Sequence, residues 1–180
     1  MGLLVTLEDD TGMILHTAAG KILPSTVTLY IPSTKGGGSL EPLGSGVLYR
    51  EGAGYFLLTA GHCIKQKGYV IRTGILDGRN FHSLTGRVAI ERGHGDKLDI
   101  GVIRLSESSA AVCLRNHAFI AANQIYHAQD VREKDLFLAA GFPNSKVSVD
   151  HSKKRIKKDL MPYACTPDAR YEKSGYAIVK

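Results

Sequence analysis

Short apolar segments recur along this chain at intervals of about ten residues, each closed by a glycine-rich or polar turn, and that spacing belongs to all-β proteins. Strands are expected near "STVTLYI" (25–31), "GSGVLYR" (44–50), "GYFLLTA" (54–60), "YVIRTGI" (69–75), "TGRVAIE" (85–91) and "LDIGVIRL" (98–105). The stretches "STKGGG" (33–38), "REGAG" (50–54), "LDGRN" (76–80) and "RGHGDK" (92–97) carry the turn chemistry between them. Six strands by residue 105 are enough to close a small barrel and remove its edges.

The character changes after residue 105. Residues 106–132 show no clean alternation and read as a long connection packed against the first unit. "DLFLAAGFP" (135–143) is a strong strand ending in a Gly-Phe-Pro turn, and "KVSVD" (146–150) and "SGYAIVK" (174–180) are further candidates. Three or four strands beyond residue 132 are too few for a second closed barrel. The division expected is therefore an N-terminal segment (1–24), a first β-barrel (25–105), a connection (106–132) and a partial second barrel (133–180).

Composition narrows the class. At 43% hydrophobic residues over 180 positions, the chain can bury a sizeable core. No apolar run reaches membrane-spanning length. The start, "MGLLVTLEDD", has no basic n-region and turns acidic at once, unlike a secretory signal. Gly2 and Thr6 fit the loose N-myristoylation spacing, a six-residue pattern of little weight. The net charge of +6 is concentrated: "HSKKRIKK" (151–158) holds five of the 23 Lys and Arg, and the remaining 18 nearly balance 17 Asp and Glu. A nucleic-acid patch at 153–158 lacks an aromatic platform, so a solvated hairpin or loop is the expected reading. Cys63, Cys113 and Cys165 are dispersed and odd in number. They form neither a disulfide framework nor a CxxC metal site, and free thiols in a reducing cytoplasm are expected.

The chemistry concentrates in "YFLLTAGHC" (55–63) and "KLDIGVIRL" (97–105). An apolar strand delivers Gly61 and His62 at its end, a rigid platform for an imidazole. Thirty-seven residues later Asp99 precedes a second apolar strand, where a carboxylate is expected to be partly buried and to need a partner. An imidazole N–H is such a partner, and the two would form a base and its orienter.

In this combination "LTAGHC" followed by "LDIGVIRL" resembles the His and Asp motifs of the trypsin-like, chymotrypsin-fold serine proteases. "GSGVLY" is similar to the strand leading into the histidine loop, and "LAAGFP" (138–143) to the opening of the second barrel in bacterial intracellular members. Order and spacing of the four motifs agree over residues 25–145. The resemblance implies a double β-barrel with its active site in the cleft, polypeptide substrates, and no metal or organic cofactor. His62 would be the catalytic base and Asp99 would fix its tautomer.

The family's nucleophile sits in a Gly-x-Ser-Gly-Gly segment of the second barrel, and no such segment follows Asp99 here. "EKSGYAIV" offers Ser174 without the flanking glycines that shape the turn and aim the oxyanion N–H groups. Cys165 in "YACTPD" matches no catalytic turn. The expectation is a chain that ends before the nucleophile, with a complete first barrel, an incomplete second one and no activity by itself. The alternative is an inactive, protease-like binding module, and a protein partner or further C-terminal residues would complete the second barrel. In secreted relatives the cysteine at the position of Cys63 bonds to one on the preceding strand, where "LEPLGSGVLY" has none, so Cys63 is expected to be free, as in an intracellular member. His94 and Asp96 are two residues in a glycine turn, too few for a metal site.

Overall fold

The computed structural model describes residues 17, 20–33, 40–64, 72–74, 81–90, 99–125, 137–142, 147–150, 155–158 and 161–165. Strands dominate. Seven lie before residue 106: β1 (Thr26–Pro32), β2 (Leu40–Glu51), β3 (Gly54–Ala60), β4 (Arg72–Gly74), β5 (Phe81–Ser83), β6 (Gly86–Ile90) and β7 (Ile100–Leu105). They hydrogen-bond in the order β5-β4-β1-β2-β3-β7-β6, and a short β8 (Ile120–Ala121) adds in parallel to β2.

The two margins of this sheet, β5 and β6, are separated in the chain only by Leu84 and Thr85. The sheet therefore returns on itself. Leu84 lies in the core with Val27, Leu29, Leu48, Leu57, Ile103 and Leu105. Leu48 and Leu57 face each other across β2 and β3 with no exposed surface. Burying each contributes roughly 1.5–3 kcal/mol relative to leaving it in water.

Local chemistry explains how the strands turn. β2 and β3 form a hairpin whose two-residue loop is Gly52-Ala53, and Gly52 takes the left-handed φ of 55° that such tight loops favour. Between β1 and β2 the register slips at Leu29/Tyr30, leaving Leu43 as the extra residue of a bulge beside Pro42. A proline cannot donate to the ladder, and a bulge is one of the few places within a sheet where it fits.

The segment expected to be a plain connection contains a helix, Glu107–Asn116. Ser106 caps it, its hydroxyl accepting from Ser109 N–H at 3.3 Å. Ser109, Ala110 and Cys113 are its buried residues, and Ser109 Oγ also accepts the Thr85 N–H at 2.9 Å. The helix thus seals the place where the sheet's margins meet. Its weak amphipathicity explains why alternation-based reading passed over it.

Beyond residue 132 the described backbone contains β9 (Phe137–Gly141), β10 (Val147–Asp150), β11 (Arg155–Lys158) and β12 (Met161–Cys165). β9 pairs antiparallel with β12 and β10 with β11, as two separate two-stranded ladders. Arg155–Lys158 of the basic segment thus form a strand paired with β10, and its residues 151–154 lie outside the described residues. The strand expected at 174–180 lies outside the described residues. A second small core joins this part to the first sheet: Phe142 and Val147 pack with Tyr30 and Leu40. Burial pushes the Tyr30 hydroxyl up to about 12, a hydrogen bond from Thr28 partly offsetting the effect.

Candidate active site

β3 ends at Ala60, and the next four residues, Gly61–Ile64, make one helical turn. That turn is tied to the residue preceding β7 at three points. Gly61 N–H donates to the Asp99 carbonyl at 2.9 Å. His62 N–H donates to Asp99 Oδ1 at 2.8 Å. His62 Nδ1 bonds Asp99 Oδ2. One carboxylate therefore holds both the main chain and the ring of the histidine.

Glycine at 61 is what allows this approach. A Cβ there would stand 3.0 Å from Asp99 Oδ1 and 3.2 Å from the Ile100 carbonyl. Register brings the pieces together: Ala60 pairs with Ile100 and Thr59 with Gly101, so the strand ends that carry His62 and Asp99 lie side by side. An ionised Asp99 requires the proton on Nδ1, and in the neutral imidazole that leaves the Nε2 lone pair free to accept a proton. The His62 side chain is 67% exposed, so Nε2 is accessible.

Asp99 departs from expectation in one respect. Its side chain is 48% exposed rather than sheltered behind the strand. The carboxylate sits just outside the first residue of β7, and Ile100 beside it is itself exposed.

Behind His62, Cys63 is buried and its thiol donates to the Leu43 carbonyl at 3.7 Å. Burial raises its pKa, the Asp99 charge adds to that, and a hydrogen bond with Thr59 works against it. Cys63 is therefore a packed thiol, not a nucleophile. Cys113 is also buried and pushed up to about 11 by desolvation. Both are free. Cys165 belongs to β12, and its side chain lies outside the described residues, as do Ser174, His94 and Asp96. Among the described residues no group of three or more His, Cys, Asp or Glu is placed to hold a metal ion, and no helix is long and apolar enough to cross a membrane.

A support that sequence reading missed runs through Ser45. Its hydroxyl accepts the Phe142 N–H at 2.7 Å and donates to the Phe142 carbonyl at 3.2 Å. Its own carbonyl accepts from Thr59 Oγ1 at 2.8 Å. Ser45 thus joins the strand end at 141–142 to the strand that carries the histidine turn. A lone serine between two glycines gave no signal of a partner 97 residues away.

No protein-family model matches the sequence, and no curated protein matches it either. The family reading therefore rests on the motifs and on the geometry of His62 and Asp99.

Proposed function

We propose that the chain is the domain of a trypsin-like serine endopeptidase, a chymotrypsin-like double β-barrel that hydrolyses polypeptides by acyl-enzyme chemistry. The observation that carries the reading is the His62–Asp99 pair: a strand-end imidazole fixed through Nδ1 by a carboxylate, with Nε2 open to solvent. In this role His62 takes a proton from a serine hydroxyl and returns it to the leaving amine. Asp99 keeps the ring in the correct tautomer and stabilises the imidazolium. The sheet whose margins meet at Leu84 and Thr85 supports the first-barrel reading, and the four strands from β9 to β12 supply material for the second. The two free thiols agree with a reducing, cytoplasmic setting in a bacterium.

A second reading is an inactive protease-like binding module, since residues 100–180 contain no Gly-x-Ser-Gly-Gly segment. A fluorophosphonate probe separates the two. The 180-residue chain is expected to show no labelling. A chain extended in frame through a Gly-x-Ser-Gly-Gly segment should label stoichiometrically, and His62→Ala should abolish that labelling. An extended chain that stays unlabelled would favour the binding module. Labelling of the 180-residue chain that is lost on Ser174→Ala would make Ser174 the nucleophile.

A further inference from the structure

Away from His62 and Asp99, Arg87 on β6 and Arg104 on β7 are direct cross-strand partners. Both are exposed. Side chains so placed have Cβ atoms roughly 4.5–5.5 Å apart, and like charges in that position destabilise the ladder. Among the described residues neither guanidinium has an ion pair. Asp99 and Arg104 are five residues apart on an extended chain, roughly 17 Å, so this patch is distinct from the histidine site.

The surface around the two arginines is concave. With Gly86, Leu105 and Ser106 they line a hollow of about 400 Å³. A second hollow of about 290 Å³ adjoins it and shares Arg104 and Leu105. Its lining includes the apolar Tyr55, Ala110, Ala111 and Leu114, of which Leu114 is 49% exposed. Glu107 lines it too.

We infer that these two hollows form a docking groove for an extended segment of another protein, in which a carboxylate side chain and an apolar one stand two residues apart and so point to the same face. The carboxylate lies between Arg87 and Arg104, whose planar forks suit bidentate contact and whose mutual repulsion it relieves. The apolar side chain fills the hollow over Leu105 and Leu114, removing an exposed leucine from water. Glu107 sets the direction, because its charge opposes a carboxylate in the apolar hollow. The same Glu107 and the apolar lining disfavour a nucleic-acid strand, which would present phosphates along the whole groove.

The test is fluorescence anisotropy of the 180-residue chain with a labelled, acetylated peptide containing Asp-Glu-Leu-Phe. Saturable binding is expected that weakens with added salt. A Lys-Lys-Leu-Phe peptide and an Asp-Glu-Ser-Ser peptide should each bind at least about tenfold more weakly. Arg104→Glu and Leu114→Asp should each cost at least about tenfold, with unchanged far-UV circular dichroism to show that the exposed substitutions leave the fold intact. Arg104→Gln serves in place of Arg104→Glu if the latter fails to fold. Equal binding of the lysine peptide, no loss on changing Arg104, or no saturable binding at about 1 mM peptide would overturn the proposal. Self-association through this groove, seen as dimers that disappear on Leu114→Asp, would overturn it in favour of a second copy as occupant.

Discussion

The strands before residue 106 and those after residue 132 differ in what each can hold by itself. The first set forms one continuous ladder around a shared core, and its two margins, β5 and β6, are joined in the chain by Leu84 and Thr85. The second set is two pairs of strands, and an isolated two-stranded ladder is at best marginal in water. What steadies it is borrowed: Phe142 and Val147 pack on Tyr30 and Leu40, and Ser45 holds the main chain of Phe142 from both sides. The His62–Asp99 pair belongs wholly to the first set, so the geometry of the base and its orienter needs only that sheet.

If that asymmetry is real, a core deletion in the first sheet should bring down the whole molecule. Leu48→Ala leaves a cavity in the centre of the core and should cost about 2–5 kcal/mol, lowering a single thermal transition that carries both regions. Separate transitions for the two regions would break the comparison.

Ser45→Ala probes the opposite direction. It removes both bonds to Phe142, at a cost of roughly 1–3 kcal/mol. Hydrogen exchange should quicken in β9 and β12 while β2, β3 and β7 keep their protection. Uniform loss of protection would show that the regions are one cooperative unit.

The third outcome concerns pH and again belongs to the first sheet. The Cys113 thiol is raised from 9.0 to about 11 in the fold. The unfolded chain therefore loses this proton first, and the stability it supports is complete below pH 9 and declines as pH rises toward 11. The decline should be on the order of 1–2 kcal/mol, measured by urea unfolding at successive pH values, and Cys113→Ala should flatten it.

The smallest effect is expected at the site. His62→Ala removes an exposed ion pair, which is worth only about 0–1 kcal/mol to stability, so thermal midpoints should barely move. A large loss would mean that the pair braces the sheet rather than serving chemistry.

The first region was the more legible of the two. β1, β3, β6 and β7 fall within a residue or two of the apolar runs that predicted them; β7 buries alternate residues and β1 five in succession, although β6 itself is largely exposed. β5 was missed, since three residues beside "LDGRN" look like the continuation of a turn. No strand was expected at β12, and at β11 only a hairpin or loop, for another reason. The "RIKK" strand is held by backbone pairing with β10 and carries almost no apolar pattern, and "MPYAC" contains a proline that argues against a strand. His62 and Asp99 could be read from flanking strands and order, whereas the exposure of Asp99 could not, because it depends on what covers the start of β7. Ser45 was invisible since its partner is a main-chain group, and any residue at 142 except proline would present the same N–H and carbonyl.

The separation of thirty-seven positions between His62 and Asp99 also sets an order of events in folding. β1, β2 and β3 are neighbours both in the chain and in the sheet, and the two-residue turn at Gly52-Ala53 lets the β2–β3 hairpin form on the timescale of local contacts, roughly microseconds. β7 must close a much longer loop before it can pair with β3, and loop closure of that kind is what slows β-proteins. The hydrogen bond from His62 to Asp99 therefore cannot precede the docking of β7. A refolding experiment that follows the His62 ring signal reads the moment at which β7 docks on β3, and a molecule whose nascent chain has not yet delivered Ile100–Leu105 carries a histidine turn with nothing to orient it.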